Sequence, residues 1–316
     1  MGMKLVTTTG DLAGYFTDKS VAAPLEAMKE TGFKHIDLSM YEVIYDGSPW
    51  VREGESWKKE IDDCQKIAAR CGFDFCQAHS PSGCFFKGEK KREESILATK
   101  RSIEACAMLG IPHTVVHAEA LGCSIFTKMF GKKKFIEKNK ELFCELAETA
   151  EKFGVDILVE NSSDLWNRGY FLNCGRDIRA FVEEVGSSRV HVCWDTGHAN
   201  CQGADQYKEI TAIGSELRAL HAQDNYGNGD SHVMPMAGTI NWDQVFHALK
   251  EIGYKGDFTF EGSNTLRRSG CWPNYRLDVK KTDILADPPL CVQQKQLAVM
   301  YEVGKWMVES YGFIAE

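Results

Sequence analysis

The strongest evidence for the fold is the segment Arg189-Val-His-Val-Cys-Trp-Asp195-Thr-Gly-His198. It opens as a run of β-branched and apolar residues, which is typical of a strand buried in a parallel sheet. It then ends in a carboxylate and an imidazole, although a desolvated carboxylate costs several kcal/mol unless it is paired or bound to metal. Charge at the carboxyl end of a buried strand is the arrangement found in the active sites of (β/α)₈ barrels. The segment therefore predicts a barrel strand that delivers Asp195 and His198 to a pocket.

The same alternation of short apolar runs and amphipathic segments extends along the chain and predicts eight βα units. The strand candidates are Lys4–Thr8, Phe33–Leu38, Phe73–His79, Thr114–Ala118, Ile157–Asn161, Arg189–Asp195, Leu217–Ala222 and Asp257–Glu261. The helix candidates include Trp57–Cys71, Glu93–Leu109, Lys134–Phe153, Trp242–Ile252 and Lys295–Tyr311. An open nucleotide-binding sheet is disfavoured, because the chain contains neither a G-x-G-x-x-G nor a G-x-x-x-x-G-K-[ST] motif. We predict one α/β domain over residues 1–316, a (β/α)₈ TIM barrel.

The bulk composition restricts the partners of this barrel. The formal charge of −8, from 45 acidic and 37 basic side chains, gives no electrostatic reason to expect nucleic acid. No apolar run reaches the about 20 residues of a membrane span, and the chain enters a predicted strand almost at once. The 12 cysteines form no Cys-x-x-Cys pair, so we interpret them as reduced and mostly buried. We expect a cytoplasmic protein with no nucleic-acid or membrane partner.

Ionisable residues stand at the ends of most predicted strands from the third onward. They are His79, His117, Glu160, Asp195, His198, His221 and Glu261. Any one of them has a structural interpretation, since a single strand-end histidine is often merely hydrogen-bonded and a single carboxylate can cap the next helix. Their recurrence favours a shared pocket, because the strand ends of a barrel converge. A carboxylate-rich set with imidazoles suits a divalent metal ion, with Mn²⁺ as our first choice and Mg²⁺, Co²⁺ or Zn²⁺ as alternatives.

Four motifs carry a more specific resemblance: Val-Glu160-Asn161, Trp-Asp195-Thr-Gly-His198, His221-Ala-Gln-Asp224 and Phe-Glu261-Gly. In this order they resemble strands five to eight of the xylose isomerase-like barrel superfamily, and within it the sugar phosphate isomerase/epimerase family. The resemblance spans nearly the whole chain. It implies a small sugar or polyol substrate and a metal ion held by Glu160, Asp195, His221 and Glu261.

The resemblance also implies roles. In the epimerases of that family, two glutamates contact the metal and face opposite sides of the carbon beside the substrate carbonyl. This casts Glu160 and Glu261 as an acid/base pair around a metal-stabilised enediolate. We assign further substrate contacts to His79, His198, Asp230, His232 and Trp272.

Two departures from the family pattern stand near the seventh strand. The epimerases place an arginine in the loop after the strand-seven histidine, whereas this chain has Asn225-Tyr-Gly-Asn-Gly229. Met236 follows Pro235 where the family usually has glycine. The first departure weakens a simple 3-epimerase interpretation, and the second predicts an altered substrate mouth.

Three other functions stay open. The nearest is a metal-dependent lyase of the same fold, such as an inosose dehydratase or the large subunit of a 3-oxo-glucoside or C-glycoside deglycosidase, with His117 as a candidate base. Such a subunit works beside a small β-rich partner, and a homo-oligomer is the other assembly we consider. The second is an endonuclease IV-like nuclease, whose ligand set also maps onto His79, His117, Glu160, Asp195, His198, His221, Asp230, His232 and Glu261, but whose duplex-binding rim should be basic. The third, a non-catalytic binding protein, would be expected to have lost a ligand.

Two connections are too long for simple turns, namely residues 80–92 after the third strand and 262–290 after the eighth. Both follow the carboxyl ends of strands, where barrel enzymes carry lids and specificity loops. The second contains Arg267, Arg268, Trp272, Tyr275 and Arg276. We expect it to be a lid or a partner contact.

Overall fold

The computed structural model describes residues 2–122, 125–163, 169–266 and 287–316. Eight parallel strands close into a barrel in the order of the sequence, which confirms the predicted (β/α)₈ fold. These strands are β2 (Leu5–Thr8), β3 (His35–Ser39), β4 (Asp74–His79), β5 (His113–His117), β6 (Asp156–Glu160), β7 (Val190–Asp195), β8 (Leu217–Ala222) and β9 (Phe258–Phe260). Every predicted strand overlaps an observed one.

The helices of the described residues surround the barrel. They are α1 (Gly10–Ala13), α2 (Lys58–Cys71), α3 (Glu89–Leu109), α4 (Ile125–Phe130), α5 (Lys132–Phe153), α6 (Gly175–Val185), α7 (Thr196–Cys201), α8 (Gln206–Ile213), α9 (Trp242–Glu251) and α10 (Leu290–Ser310). Three 3₁₀ segments add Leu25–Thr31, Gly214–Glu216 and Ser263–Thr265. Helix α2 shows the pattern that holds them in place, because Ile61, Cys64 and Ala68 recur on one face and are the residues it buries.

The chain termini form a strand pair that the sequence prediction missed. Strand β1 (Gly2–Met3) pairs in parallel with β10 (Ile314–Ala315), and the Leu5 amide donates to the Glu316 carbonyl. Both strands are too short to show a periodic apolar pattern. The pair fastens the end of the last unit to the amino-terminal side of the barrel.

The barrel has an inner and an outer core. Inside it, Val115, Leu158, Cys193 and Ala219 form a small apolar layer from four successive strands, all of them buried. The larger cluster lies between the outer face of the strands and the helices. Layers of side chains normally fill the interior of this fold. The pocket therefore lies on the carboxyl-terminal side of this apolar layer, which closes the barrel beneath it.

A bulge in β4 sets the orientation of two polar residues. The pairing with β3 jumps from Ile36–Phe75 to Asp37–Gln77, which leaves Cys76 as an extra residue on β4. An added residue inverts the alternation of side chains along a strand. Gln77 and His79 therefore both reach the barrel interior, and each is nearly completely buried.

Some sequence predictions need correction or stay untested. The connection predicted at residues 80–92 is shorter, because α3 begins at Glu89 and not at the predicted Glu93. Most of the 262–290 connection, including Trp272, lies outside the described residues, so the lid stays a prediction. The ten described cysteines are all free thiols. None of the described helices is long and apolar enough to cross a membrane.

Candidate metal centre and substrate pocket

The carboxyl ends of the barrel strands open into a cavity of about 830 Å³. Neighbouring strands place ionisable residues side by side: His117 pairs in register with Glu160, and Asp195 with His221. Residues in register on adjacent parallel strands point to the same face. This pairing is the local reason that side chains distant in sequence meet in one pocket.

Glu160 is the centre of the cluster and is 1 % exposed. Its Oε1 lies 3.1 Å from His221 Nδ1 and 3.4 Å from His198 Nδ1. Its Oε2 lies 3.2 Å from His117 Nε2 and 3.5 Å from His79 Nε2. Burial acts to raise the pKa of Glu160, but His221 and His117 outweigh it and hold the pKa well below its ordinary value. Glu160 is thus a carboxylate with imidazoles on all sides.

Glu261 approaches the same group from the last strand. Its Oε1 lies 3.6 Å from His221 Nδ1, on the imidazole nitrogen that also faces Glu160. Its Oε2 lies 3.8 Å from His232 Nδ1. Unlike Glu160, this side chain is 15 % exposed. Two carboxylates of different exposure therefore flank one ring nitrogen.

Asp195 begins helix α7 and explains the Asp-Thr-Gly-His motif. Its Oδ1 accepts from the His198 amide at 2.6 Å, which caps the helix. The same oxygen accepts from Gln223 Nε2 at 3.2 Å. A Cβ on Gly197 would lie 2.1 Å from the Gln223 side chain, so only glycine fits there. Burial, with the negative charges of Glu160 and Asp230, raises the pKa of Asp195 to about 7 although His198 opposes it.

Three histidines are fixed in one ring orientation by backbone carbonyls. The Nδ1 atoms of His79, His198 and His232 lie 2.8, 2.8 and 2.9 Å from the carbonyl oxygens of Ser80, Asn161 and Glu261. A carbonyl only accepts, so each Nδ1 carries a proton and each Nε2 is the nitrogen that can bind either a second proton or a metal ion. This is the usual arrangement of histidines that bind metal through Nε2.

His198, Asp230 and His232 form a second group beside the first. Asp230 Oδ2 lies 3.3 Å from His198 Nε2 and 3.1 Å from His232 Nε2. Burial raises the pKa of Asp230, but the two imidazoles lower it far below its ordinary value. Burial lowers the pKa of His232, and Asp230 outweighs this effect and raises it to about 10. The group is therefore a network of charged side chains, and the protons between Asp230 and the two imidazoles lie where a metal cation could bind instead.

The donor atoms fit a divalent cation. Four overlapping sets in the pocket each bring three candidate ligand atoms within 4.8 Å of one another: His79–His117–Glu160, His79–His221–Glu261, Glu160–Asp195–His198 and His198–Asp230–His232. Within the described part of the chain, Glu160 Oε2 and His221 Nδ1 are buried without a hydrogen-bond partner. Buried polar atoms normally have a partner, and carboxylate and imidazole are the ligands that Mn²⁺, Co²⁺ and Zn²⁺ accept.

The structure brings nearly all of the predicted site residues together. The four predicted metal ligands Glu160, Asp195, His221 and Glu261 lie at this centre, with Asp195 joined through Glu160 and His198. The predicted substrate residues His79, His198, Asp230 and His232 line the cavity. The candidate base His117 lies there too; 28 % of its side chain reaches the cavity, yet its depth lowers its pKa to about 4. Trp272 lies outside the described residues.

Sequence reasoning missed several residues of the pocket. The rings of Tyr41 and His79 lie edge to face, with their centroids 5.1 Å apart. Asp11 lines the cavity floor, and burial raises its pKa to about 7. Gln223 joins Asp195 to Asp230, donating to the latter at 2.7 Å. Only Asp11 had a signal, as a charged residue three positions after a predicted strand; a tyrosine in a loop and a glutamine after a strand are common elsewhere.

The turn at Met236 is held from below by Asp224. The backbone of Met236 has a φ of +73°, a left-handed conformation that side chains rarely adopt. Asp224 accepts from the amides of Met236 and Ile240 at 3.2 and 3.1 Å and from Trp242 Nε1 at 2.9 Å. Asp224 therefore holds Met236 in this conformation through hydrogen bonds, and the altered substrate mouth stays a prediction.

The fold and the strand-end carboxylates and imidazoles define the class of the protein as a TIM barrel with a candidate metal centre. Residues 25–274 match the family model described as "Xylose isomerase-like TIM barrel". The chain belongs to this family.

Similar proteins of established activity are sugar epimerases and isomerases. A D-psicose 3-epimerase from Ruminiclostridium cellulolyticum is 32 % identical over 43 % of this chain and 44 % of its own length. Among solved structures, a D-tagatose 3-epimerase-like protein has a TM-score of 0.71 at 20 % identity, covering 98 % of both chains. An IOLI protein solved with a bound zinc atom has a TM-score of 0.68 at 18 % identity, covering 98 % of this chain and 99 % of its own. At such identities the structures establish the common fold.

Proposed function

We propose that this protein is a divalent-metal-dependent sugar epimerase or isomerase that moves a proton at the carbon beside a carbonyl. The observation that carries the proposal is the placement of Glu160 and Glu261 on the same His221 nitrogen, at 3.1 and 3.6 Å. Two carboxylates that converge from strands β6 and β9 suit a reaction in which one removes a proton and the other returns one.

Glu160, Asp195, His221 and Glu261 would hold the cation. When bound, it would polarise the substrate carbonyl and stabilise negative charge on the adjacent oxygens. Mn²⁺ remains our first choice, and Zn²⁺ is supported by the zinc atom of the structurally similar IOLI protein. Both ions accept mixed carboxylate and imidazole ligands.

The chain's own residues supply the proton transfers. One glutamate takes the proton from carbon as the C–H bond breaks; that electron pair forms a C=C bond to the carbonyl carbon, and the carbonyl π pair moves onto its oxygen. The other glutamate delivers a proton to the opposite face of the same carbon, which inverts it. Glu160 is ionised by its imidazole neighbours and is suited to begin as the base.

Solvent-proton exchange tests this function directly. Purified protein reconstituted with Mn²⁺ or Zn²⁺ is incubated in D₂O with ketoses, inososes and 3-oxo-glucosides, and NMR follows deuterium entering the carbon beside the carbonyl. We expect exchange with at least one sugar, followed by the epimer or the isomeric aldose or ketose. Failure of every sugar to exchange with the metal-loaded protein would contradict the proposal.

A lyase of the same fold is the second candidate, and the cavity favours it. Its volume of about 830 Å³ lies in the upper part of the about 300–1,000 Å³ range of ligand pockets. This leaves space for a group attached to the sugar ring. His117 Nε2, 3.2 Å from Glu160, would then be a base for elimination, since its low pKa keeps the imidazole neutral. Release of an aglycone from a 3-oxo-glucoside, without accumulation of an epimer, would identify the lyase.

A phosphodiesterase of the endonuclease IV type is a third candidate, favoured by the gathering of all nine positions of that ligand set in the pocket. The net charge of −8 opposes it, because duplex binding requires a basic rim. Incision of DNA containing an abasic site by the metal-loaded protein would establish it, and we expect none.

A further inference from the structure

His221 is held differently from the other histidines of the centre. In His79, His198 and His232 a backbone carbonyl accepts a hydrogen bond from Nδ1. In His221 it is Nδ1 that faces the carboxylates, and Nε2 lies 2.9 Å from the side-chain amide of Gln77. The group that sets the tautomer of the His221 imidazole is therefore the side chain of Gln77.

Binding of a cation to His221 Nδ1 makes a definite demand on Gln77. Nδ1 must offer its lone pair, so Nε2 carries the proton and requires an acceptor. The amide nitrogen of Gln77 is only a donor, whereas its Oε1 is an acceptor. Gln77 Oε1 is itself buried without a hydrogen-bond partner among the described residues. Rotating the amide by half a turn brings Oε1 to His221 and satisfies both atoms, with little change in the shape of the side chain.

The rotated amide needs an acceptor for its N–H groups, and Asp37 is placed to provide one. Asp37 lies directly opposite Gln77 in the pairing of β3 with β4 and is completely buried. Neither of its carboxylate oxygens has a hydrogen-bond partner of acceptable geometry within the described ranges. Thr8 lies opposite Asp37 on β2 and favours its charged form, but the Thr8 hydroxyl does not reach hydrogen-bonding geometry. A buried carboxylate without partners is costly, so Asp37 should have a use in the loaded protein.

We infer that Gln77 and Asp37 are positioning residues for His221, acting as a relay in which Asp37 accepts from the Gln77 amide and Gln77 Oε1 accepts the His221 Nε2 proton. The relay holds the imidazole in the form whose Nδ1 lone pair points at Glu160 and Glu261. The inference rests on the proposed function only in taking His221 as a ligand. Cys193 also lies against this ring, but a thiol is a weak acceptor.

Zn²⁺ titration and ¹⁵N NMR of histidine-labelled protein test the relay without measuring activity. In the wild type loaded with Zn²⁺ we expect one histidine, lost in His221→Ala, to carry its proton on Nε2. Gln77→Leu should weaken Zn²⁺ binding about 10- to 100-fold, the usual cost of losing a residue that orients a ligand, and should remove that proton signature. Gln294→Leu is the matched control, because it makes the same substitution at an amide of α10 that donates to the Ala27 carbonyl at 2.9 Å, and neither residue lines the cavity. We expect it to change the affinity by no more than about twofold.

A charge exchange provides the second test and does not depend on a large truncation. Gln77→Glu keeps an acceptor for His221 but sets two carboxylates side by side, so Zn²⁺ binding and stability should both fall. Adding Asp37→Asn supplies an amide donor to the new carboxylate and should restore the affinity and the Nε2 proton.

The outcomes separate this inference from the function on which it rests. Absence of Zn²⁺ binding by the wild type, or full binding by His221→Ala, would overturn the proposed metal centre. Loss of binding in His221→Ala, with unchanged affinity and NMR pattern in Gln77→Leu, would overturn the relay alone. Lack of recovery in the double variant would also contradict the relay.

Discussion

His221 Nδ1 lies 3.1 Å from Glu160 Oε1, deep in the barrel. The contact has the distance of an ion pair, yet Nδ1 is without a hydrogen-bond partner of acceptable geometry in the described part of the protein. The exposed fraction of each side chain is 1 % or less. Water cannot reach these atoms to form hydrogen bonds with them, so the two atoms are placed to bind a common partner. The predictions below follow from this relationship and from its surroundings.

Glu160→Gln should reduce solvent-proton exchange into the substrate by about 10²- to 10⁴-fold, the usual contribution of a general acid or base. The amide is nearly the same shape but cannot take a proton. NMR in D₂O measures the exchange, circular dichroism the fold and elemental analysis the bound metal. Glu148→Gln, on the exposed face of α5, is the matched control and should behave as wild type. Undiminished exchange in Glu160→Gln would remove this residue from the reaction.

His221→Ala should lower metal affinity by more than the about 10- to 100-fold that follows loss of a residue that merely orients a ligand. The substitution removes the donor that joins Glu160 to Glu261. Calorimetric titration with Zn²⁺ gives the affinity. His191→Ala is the control, because His191 is bonded to Glu216 at 2.7 Å and belongs to the same barrel without reaching the pocket. Full retention of metal by His221→Ala would show that the ion binds elsewhere.

The stabilisation conferred by Zn²⁺ should grow between pH 6 and pH 8. Burial lowers the pKa of these three histidines, but their neighbours outweigh it: carboxylates raise the pKa of His198 above the ordinary value and that of His232 to about 10, and Cys193 with two carboxylates raises that of His221. A raised folded-state pKa contributes stability that is present below the unfolded-state pKa, about 6.5 for histidine, and is lost as pH rises through the folded pKa. The metal-free protein should thus lose stability across this range, while the protons competing with the ion are removed.

Thermal unfolding with and without Zn²⁺ at several pH values measures this effect. The increase in Tm on adding metal should be larger at pH 8 than at pH 6, and His221→Ala should flatten the dependence. An increase that shrinks as pH rises would contradict the assignment of His221 as a ligand.

Met236→Gly should stabilise the protein by about 1 kcal/mol, because a left-handed backbone costs a non-glycine residue about 1–2 kcal/mol and glycine returns part of the gain through entropy. The Met236 side chain is 53 % exposed, so little packing is lost. Urea unfolding measures the change. Met236→Ala is the control: it keeps the strained φ of +73° and should stay within about 0.5 kcal/mol of wild type. Equal stabilities for the glycine and alanine variants would show that the turn stores no strain.

Local pattern was sufficient to predict the barrel and most of the pocket. Alternating runs located all eight barrel strands. Glycines close several of the helices, a local signal of a helix end; Gly72, for example, follows α2 with a left-handed φ of +73°. The start of α3 and the terminal pair β1–β10 were less accessible, because the start of α3 lacks a capping side chain and two-residue strands carry no period.

The sequence alone determined that carboxylates and imidazoles stand at successive strand ends of a parallel barrel, since burial forces charge to the rim and the strand period is local. Only the tertiary structure decided which nitrogen of each histidine faces the centre and that His198, Asp230 and His232 form a separate group. It also placed Gln77 against His221, with Asp37 opposite Gln77, through a bulge at Cys76 that inverts the alternation of β4. Ring orientation and strand register depend on partners from distant parts of the chain. No local pattern contains that information.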